Sequence, residues 1–187
     1  MTDPSSPVAI ATERLLLRHF ETSDWPGLHA LQSDPDTCRY LTSEPYSEQA
    51  ARDYIAADVA LRAESPRQVF EFAVTLKDGG ALVGRCGLRI HDPELGDAAV
   101  WYVLHPRRRG AGLMAEAVNG LFGHAFGPLG LHRLWADIDP RNAPSARLAE
   151  ALDMRLEAHF LENVMIKGEL CGTLIYAMLR REWEARR

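Results

Sequence analysis

Two apolar runs, VFEFAVTL (69–76) and ALVGRCGLRI (81–90), are separated only by Lys77-Asp78-Gly79-Gly80. Asp-Gly-Gly supplies the positive φ angles that a tight hairpin turn requires, so this stretch returns on itself as two antiparallel strands. A third run, DAAVWYVL (97–104), follows after DPELG and adds a strand to the pair. A sheet of this kind has two faces to bury, and the flanking chain has to supply helices for both.

Those helices are legible. DWPGLHALQSDP (24–35) opens on an Asp suited to N-capping, with Pro26 in the first turn. SEQAARDYIAADVALRAE (47–64) starts at Ser47 as its cap and stops at Ser65-Pro66. Met114, Val118, Leu121, Phe122 and Ala125 fall at i, i+4, i+7, i+8 and i+11, one buried stripe of a helix. NAPSARLAEAL (142–152) is a capped helix. ERLLLRHF (13–20) and HRLWADID (132–139) read as strands, and MRLEAHFLENVMI and ELCGTLIYAMLRR as a closing pair around Lys167-Gly168. The order β-α-α-β-β-β-α-β-α-β-β predicts a mixed sheet with helices on its faces, an α/β (α+β) domain. Residues 1–12 are small, polar and proline-punctuated and read as a flexible leader, leaving 13–187 as one domain.

Charge and cysteine usage narrow the function classes. The 187-residue chain carries a net charge of −5, whereas proteins that neutralise a nucleic-acid backbone carry a basic surplus. Nucleic acid is therefore not an expected partner. Cys38, Cys86 and Cys171 are far apart and show neither CxxC nor Cys/His ligand spacing, so neither a disulfide scaffold nor a metal site is expected. Together with an N-terminus unlike a signal peptide, this points to the reducing cytoplasm. No segment reaches the roughly 18 apolar residues of a membrane span.

One junction stands out. Between the third strand and the helix lies HPRRRGAGL (105–113), with Arg107, Arg108 and Arg109 against Gly110-Ala111-Gly112. A helix N-terminus offers unpaired N–H groups and the positive end of its dipole, and glycines let a ligand approach the backbone. Such a junction suits a phosphate or diphosphate. A solvated arginine turn fits the same residues. Neither GxxxxGK[ST] nor GxGxxG is present.

Arg107-x-x-Gly110-x-Gly112 in this setting resembles the Q/R-x-x-G-x-G/A signature of the GNAT N-acetyltransferases. TERLLLRHFETSDW, SDPDTCRYL, NAPSARLAEAL and ENVMIKGELCGTLIYAMLRREW are similar to its RimJ/RimL-type branch, so the resemblance spans about residues 12 to 184. It implies a sheet of six or seven strands, split between two parallel neighbours to admit acetyl-CoA. It implies pantetheine and thioester contacts from Tyr102, Val103 and Leu104, and a diphosphate held by Arg107 to Leu113, including Arg108, Arg109, Gly110, Ala111 and Gly112. Asn142 and Ser145 match the family's N-x-x-S. The asparagine is implied to contact pantetheine and the serine to lie near the sulfur, where it protonates the leaving thiolate.

The implied reaction is acetyl transfer to a primary amine: a protein N-terminus, an amino acid or a small amine. It needs a group to take the amine's proton. Glu162, on the penultimate strand, is the first choice, with Glu71, Asp137 and Asp139 as alternatives. Cys86 and Cys171 are expected to be core residues, and His105 is the histidine beside the loop. A homodimer is left open. The alternative reading is a GNAT-fold CoA-binding regulatory protein without transferase activity. Leu152-Asp153-Met154 departs from the family's Leu-Gly-Phe, and an arginine near Leu161 is missing.

Overall fold

The Lys77–Gly80 turn does fold β3 (Val69–Leu76) back onto β4 (Leu82–Asp92), in the register Phe72↔Cys86 and Ala73↔Arg85. The structure, a computed structural model, describes residues 8–186. β5 (Asp97–Leu104) pairs antiparallel with β4. On the other edge of β3 lies β2 (Leu15–Arg18), and the two-residue β1 (Ile10–Ala11) pairs with β2. The end of the expected leader is thus a strand, while residues 1–7 lie outside the described residues. Beyond β5 come β6 (Arg133–Ile138), β8 (Glu169–Leu179) and β7 (Arg155–Ile166). The sheet has eight strands in the order β1-β2-β3-β4-β5-β6-β8-β7, and β5–β6 is its one parallel pair among the described residues. The strand beyond the expected six or seven is β1, too short to show any alternation.

Helices cover both faces. α1 (Trp25–Gln32) and α3 (Glu48–Arg62) close over Phe20, Leu28, Ala51, Ile55 and Ala73 on one side. On the other, α4 (Leu113–Phe126) sets Leu121 and Phe122 against Phe72, Leu88 and Leu134, with α5 (Ala143–Ala151) beside it. Each such large side chain contributes about 1.5–3 kcal/mol by leaving water. β3 supplies Phe72 and Val74 to one face and Ala73 to the other, which is why its sequence is apolar without alternation.

Local differences from the sequence reading have simple causes. Asp24 does not cap α1: its carboxylate is taken by Arg18, 2.6 Å away, and by the Glu21 N–H. The expected helix 24–35 stops at Gln32, and Asp34 caps a separate turn, α2 (Pro35–Cys38). The last strand ends at Leu179, where the Glu182 carboxylate accepts the Leu179 N–H and starts α6 (Arg180–Glu184). In β7 the pairing with β8 shifts between Phe160 and Val164, and Glu162 within that bulge has φ +47°.

Candidate active site

β5 and β6 pair only at Asp97↔Arg133, Ala98↔Leu134 and Ala99↔Trp135. Past that point β5 stays with β4 as far as Leu104, and β6 stays with β8 as far as Ile138. The two strands therefore part in a V whose base is riveted by Asp97. Its carboxylate accepts from Arg133 (2.7 Å) and from the Trp135 indole N–H (2.9 Å). Along the V, backbone N–H and C=O groups of residues 100–104 that would bond to β6 have no strand to meet. An open internal edge of this kind costs stability unless a ligand uses it.

One mouth of the V meets the start of α4. Gly110 and Gly112 take the left-handed φ values +81° and +72° that side chains disfavour. Gly112 caps α4 without a side chain, and the first helical bond runs from the Glu116 N–H to the Gly112 C=O. The Leu113, Met114 and Ala115 N–H groups precede that bond and are left for an anion. A Cβ placed on Gly110 would meet nothing within 4 Å, so the space over the loop is open. Arg107 and Arg108 are exposed beside it, and the Arg109 guanidinium lies 3.5 Å from Thr37 Oγ1 across the groove. His105 is engaged locally: its Nδ1 accepts the Arg107 N–H and caps the single turn Pro106–Arg108.

The loop is braced from an unexpected quarter. Arg14 donates to the Ala111 C=O (2.9 Å) and to Glu116 (2.6 Å), and Thr12 Oγ1 donates to the same carboxylate (2.5 Å). Burial alone would raise the Glu116 pKa, but these donors together hold it below the usual carboxylate range. Thr12 and Arg14 stand about a hundred residues from the loop in sequence, and nothing local marks them for this role.

α5 walls the V. Asn142 Oδ1 accepts the Ser145 N–H (3.3 Å), as its sequence predicts for a cap. The Ser145 hydroxyl donates to the Tyr102 phenol oxygen (3.0 Å), which in turn donates to the Ser145 C=O (3.2 Å). Burial raises the Tyr102 pKa. Tyr102, Val103, Asn142 and Ser145, with Tyr40 and Leu41, border two cavities at once. One, of about 300 Å³, runs along Leu104, Gly110, Gly112 and Leu113; the other, of about 410 Å³, opens toward α3 and Asp137. Of the cofactor residues expected from sequence, all but Arg107, Arg108 and Ala111 border the first of these cavities.

The α3 side carries a buried polar cluster. Glu71 is 2% exposed; one carboxylate oxygen accepts from Arg85 Nη1 (3.1 Å) and the other from the Trp101 indole N–H (2.6 Å). Arg85 Nη1 also donates to the Tyr54 phenol oxygen (2.5 Å). Burial pushes the Glu71 carboxyl up, against the pull of Arg85 and Trp101. The Trp101 ring lies so close over Gly87 that a Cβ there would come within 2.6 Å of it.

The four carboxylates named from sequence separate cleanly. Glu71 has both oxygens occupied. Asp139 is clasped by Arg141 through both oxygens, at 2.8 Å for the shortest pair, and those hydrogen bonds hold its pKa down. Glu162 is exposed in the β7 bulge and borders a different cavity, of about 500 Å³, with Arg141, His159 and Cys171. Glu162 does not line the V-shaped cavity: three bulge residues, 161–163, stand opposite Gly172 and break the strand's alternation. Asp137 lines the V-shaped cavity, and among the described residues its carboxylate has no hydrogen-bond or ion-pair partner. Cys38, Cys86 and Cys171 are free and buried, and burial raises the Cys86 thiol pKa. Among the described residues no three His, Cys, Asp or Glu side chains stand together as a metal site, and no helix is long and apolar enough to cross a membrane.

The chain is similar to known acetyltransferases. The family described as "Acetyltransferase (GNAT) domain" matches residues 14–155. An N-acetyltransferase from Bacillus licheniformis, p20, itself uncharacterised, is 32% identical over 175 residues, 92% of this chain and 96% of that protein. A GNAT-family acetyltransferase structure from Bacillus anthracis superposes with a TM-score of 0.84 at 28% identity, over 94% of this chain and all of that one. Spermidine N-acetyltransferase from Vibrio cholerae, solved with CoA and spermine, shares the fold at a TM-score of 0.79 and 20% identity, over 91% of this chain and 98% of that one. The split sheet, the open helix start behind it and these matches place the chain in the GNAT family of acetyltransferases.

Proposed function

We propose that this enzyme transfers an acetyl group from acetyl-CoA directly to a primary amine, in the manner of the RimJ/RimL-type branch. The observation that carries this reading is the parting of β5 from β6 after Ala99 and Trp135, with an uncapped helix start at one mouth and a free carboxylate at the other. Acetyl-CoA, when bound, supplies an activated acyl group as a thioester.

The Leu113 to Ala115 amides and the Gly110–Gly112 backbone suit its diphosphate, with Arg107, Arg108 and Arg109 as cationic neighbours. The free edge of Tyr102, Val103 and Leu104 suits the pantetheine amides, and a strand N–H is available to the carbonyl oxygen. Asn142 spends its oxygen on the helix cap and keeps its amide N–H₂ for a ligand. In transfer, a nitrogen–carbon bond forms as the carbon–sulfur bond breaks. Asp137 takes the proton that an ammonium must lose, because it is the unengaged carboxylate of this cavity. Ser145, hydrogen-bonded to Tyr102 at the passage, gives its proton to the sulfur and regains one from the nitrogen, which sheds its second proton as the amide forms.

Three free cysteines suit a reducing cytoplasm. The test is thiol release from acetyl-CoA with a panel of amines and peptides. Turnover supports transfer; tight CoA binding without turnover on any amine refutes it in favour of a CoA-binding regulatory role.

A further inference from the structure

The V-shaped cavity on the α3 side is lined by a guanidinium with three of its five N–H donors unused. Arg85 lines this cavity and is only 9% exposed. Its Nη1 serves both Glu71 and Tyr54, but Nε is buried without a partner, and among the described residues Nη2 has none either. Nη2 is the unpartnered nitrogen that keeps accessible surface, and a carboxylate takes a guanidinium N–H in a charge-assisted bond. A donor left without a partner destabilises the buried site, so an acceptor that completes it is favoured over one that does not.

The remaining walls define the rest of the acceptor. Tyr40, Tyr46, Tyr54 and Trp101 line the same space, with the Tyr46 and Tyr54 rings 5.9 Å apart. They suit an apolar or aromatic body. The other charged groups bordering this cavity are Asp137, which is free, and Asp139, which Arg141 neutralises. Glu71 already balances the charge of Arg85, so what Arg85 offers is an unmet N–H donor held in place by that pair. An ammonium beside Asp137 and a carboxylate at Arg85 satisfy both walls together.

Resting on the transfer reading above, we infer that the acceptor is an amino carboxylate with an apolar body, held by the free Nη2 of Arg85. A peptide N-terminus or a polyamine lacks the anionic group that this nitrogen takes.

Matched acceptors test this on the native protein: phenylalanine against phenylalaninamide and phenethylamine, with spermidine as the polycation, at saturating acetyl-CoA. The expected kcat/KM for phenylalanine exceeds that of its amide and amine by at least about tenfold, the value of one 1.4 kcal/mol contact. Calorimetry in the presence of CoA is expected to detect phenylalanine and not its amide. In Arg85→Leu/Glu71→Gln, which leaves no unpaired buried charge, the preference is expected to fall to about twofold, chiefly through KM. Equal or better turnover of the amide, the amine or spermidine overturns the inference while leaving acetyl transfer standing. No turnover on any amine overturns the transfer reading and this one with it.

Discussion

Replacing Arg85 by leucine removes the charge that Glu71 was buried against, and the cost follows from the geometry. At 3.1 Å, two unit charges at an effective dielectric of 20 attract by about 5 kcal/mol, against a desolvation penalty of several kcal/mol per ion. The pair therefore nets little, but Glu71 at 2% exposure cannot recover water once its partner is gone. Arg85→Leu should lose about 3–5 kcal/mol of stability. Arg85→Leu/Glu71→Gln should recover to within about 2 kcal/mol of the native protein, because the glutamine oxygen still accepts the Trp101 N–H without a charge to bury. Urea titrations at constant m give both values. The pH dependence has a definite sign. Burial holds the folded Glu71 pKa above its unfolded value, more so without Arg85, so protonation favours the folded state. The deficit of Arg85→Leu should be least in acid and grow as pH rises from the unfolded carboxyl range toward 7. Equal losses in the single and double variants, or a deficit that shrinks with rising pH, would refute the pairing argument.

Asp137→Asn should lower kcat by about 10²-fold at pH 7, with the gap narrowing at higher pH as the amine loses its proton unaided; an unchanged kcat would remove Asp137 from the reaction. Gly112→Val places a β-branched residue at φ +72°, which costs about 1–2 kcal/mol, and should weaken CoA binding roughly tenfold by calorimetry; equal affinity would dismiss the loop as the diphosphate site. His19 is held down to about 4 by burial and then by the Arg67 charge. The unfolded chain therefore takes that proton first, and stability on the order of 2 kcal/mol, discounted for solvent contact, should be lost as pH falls from 6.5 to 4. His19→Phe, which keeps the stack on Phe72, should flatten this loss in urea titrations, and parallel curves would count against it.

What could be read from sequence was what local signals encode. The hairpin at Asp78-Gly79-Gly80, the Ser47 and Asn142 caps and the Gly110–Gly112 junction each depend on neighbours a few residues away. The acid–base assignment does not. Asp139 is disarmed by Arg141, two residues on, and Glu71 by Arg85, brought alongside only by the β3–β4 register. Where Glu162 stands is not legible either, because strand alternation gives no warning of a bulge. Arg85, Trp101 and Tyr54 reach the cavity from three elements, and each alone reads as an ordinary strand or helix residue. The Arg14 and Thr12 brace was invisible for the same reason: its partners meet only after the sheet forms.

Because β5 and β6 part within the sheet, the sheet acts as a partition with a single slot. On the proposed reading, the carrier of the acyl group is gripped mostly by backbone and by α4 and α5 on one side, and its recipient is judged by side chains of α3, β4 and β5 on the other. On that reading, a lineage of such chains is free to change its acceptor by redrawing Tyr46, Tyr54, Arg85 and Trp101, while the groups that hold the acetyl carrier stay as they were. The division of the molecule into a constant donor side and an editable recipient side is written into three residue pairs and the place where the fourth is missing.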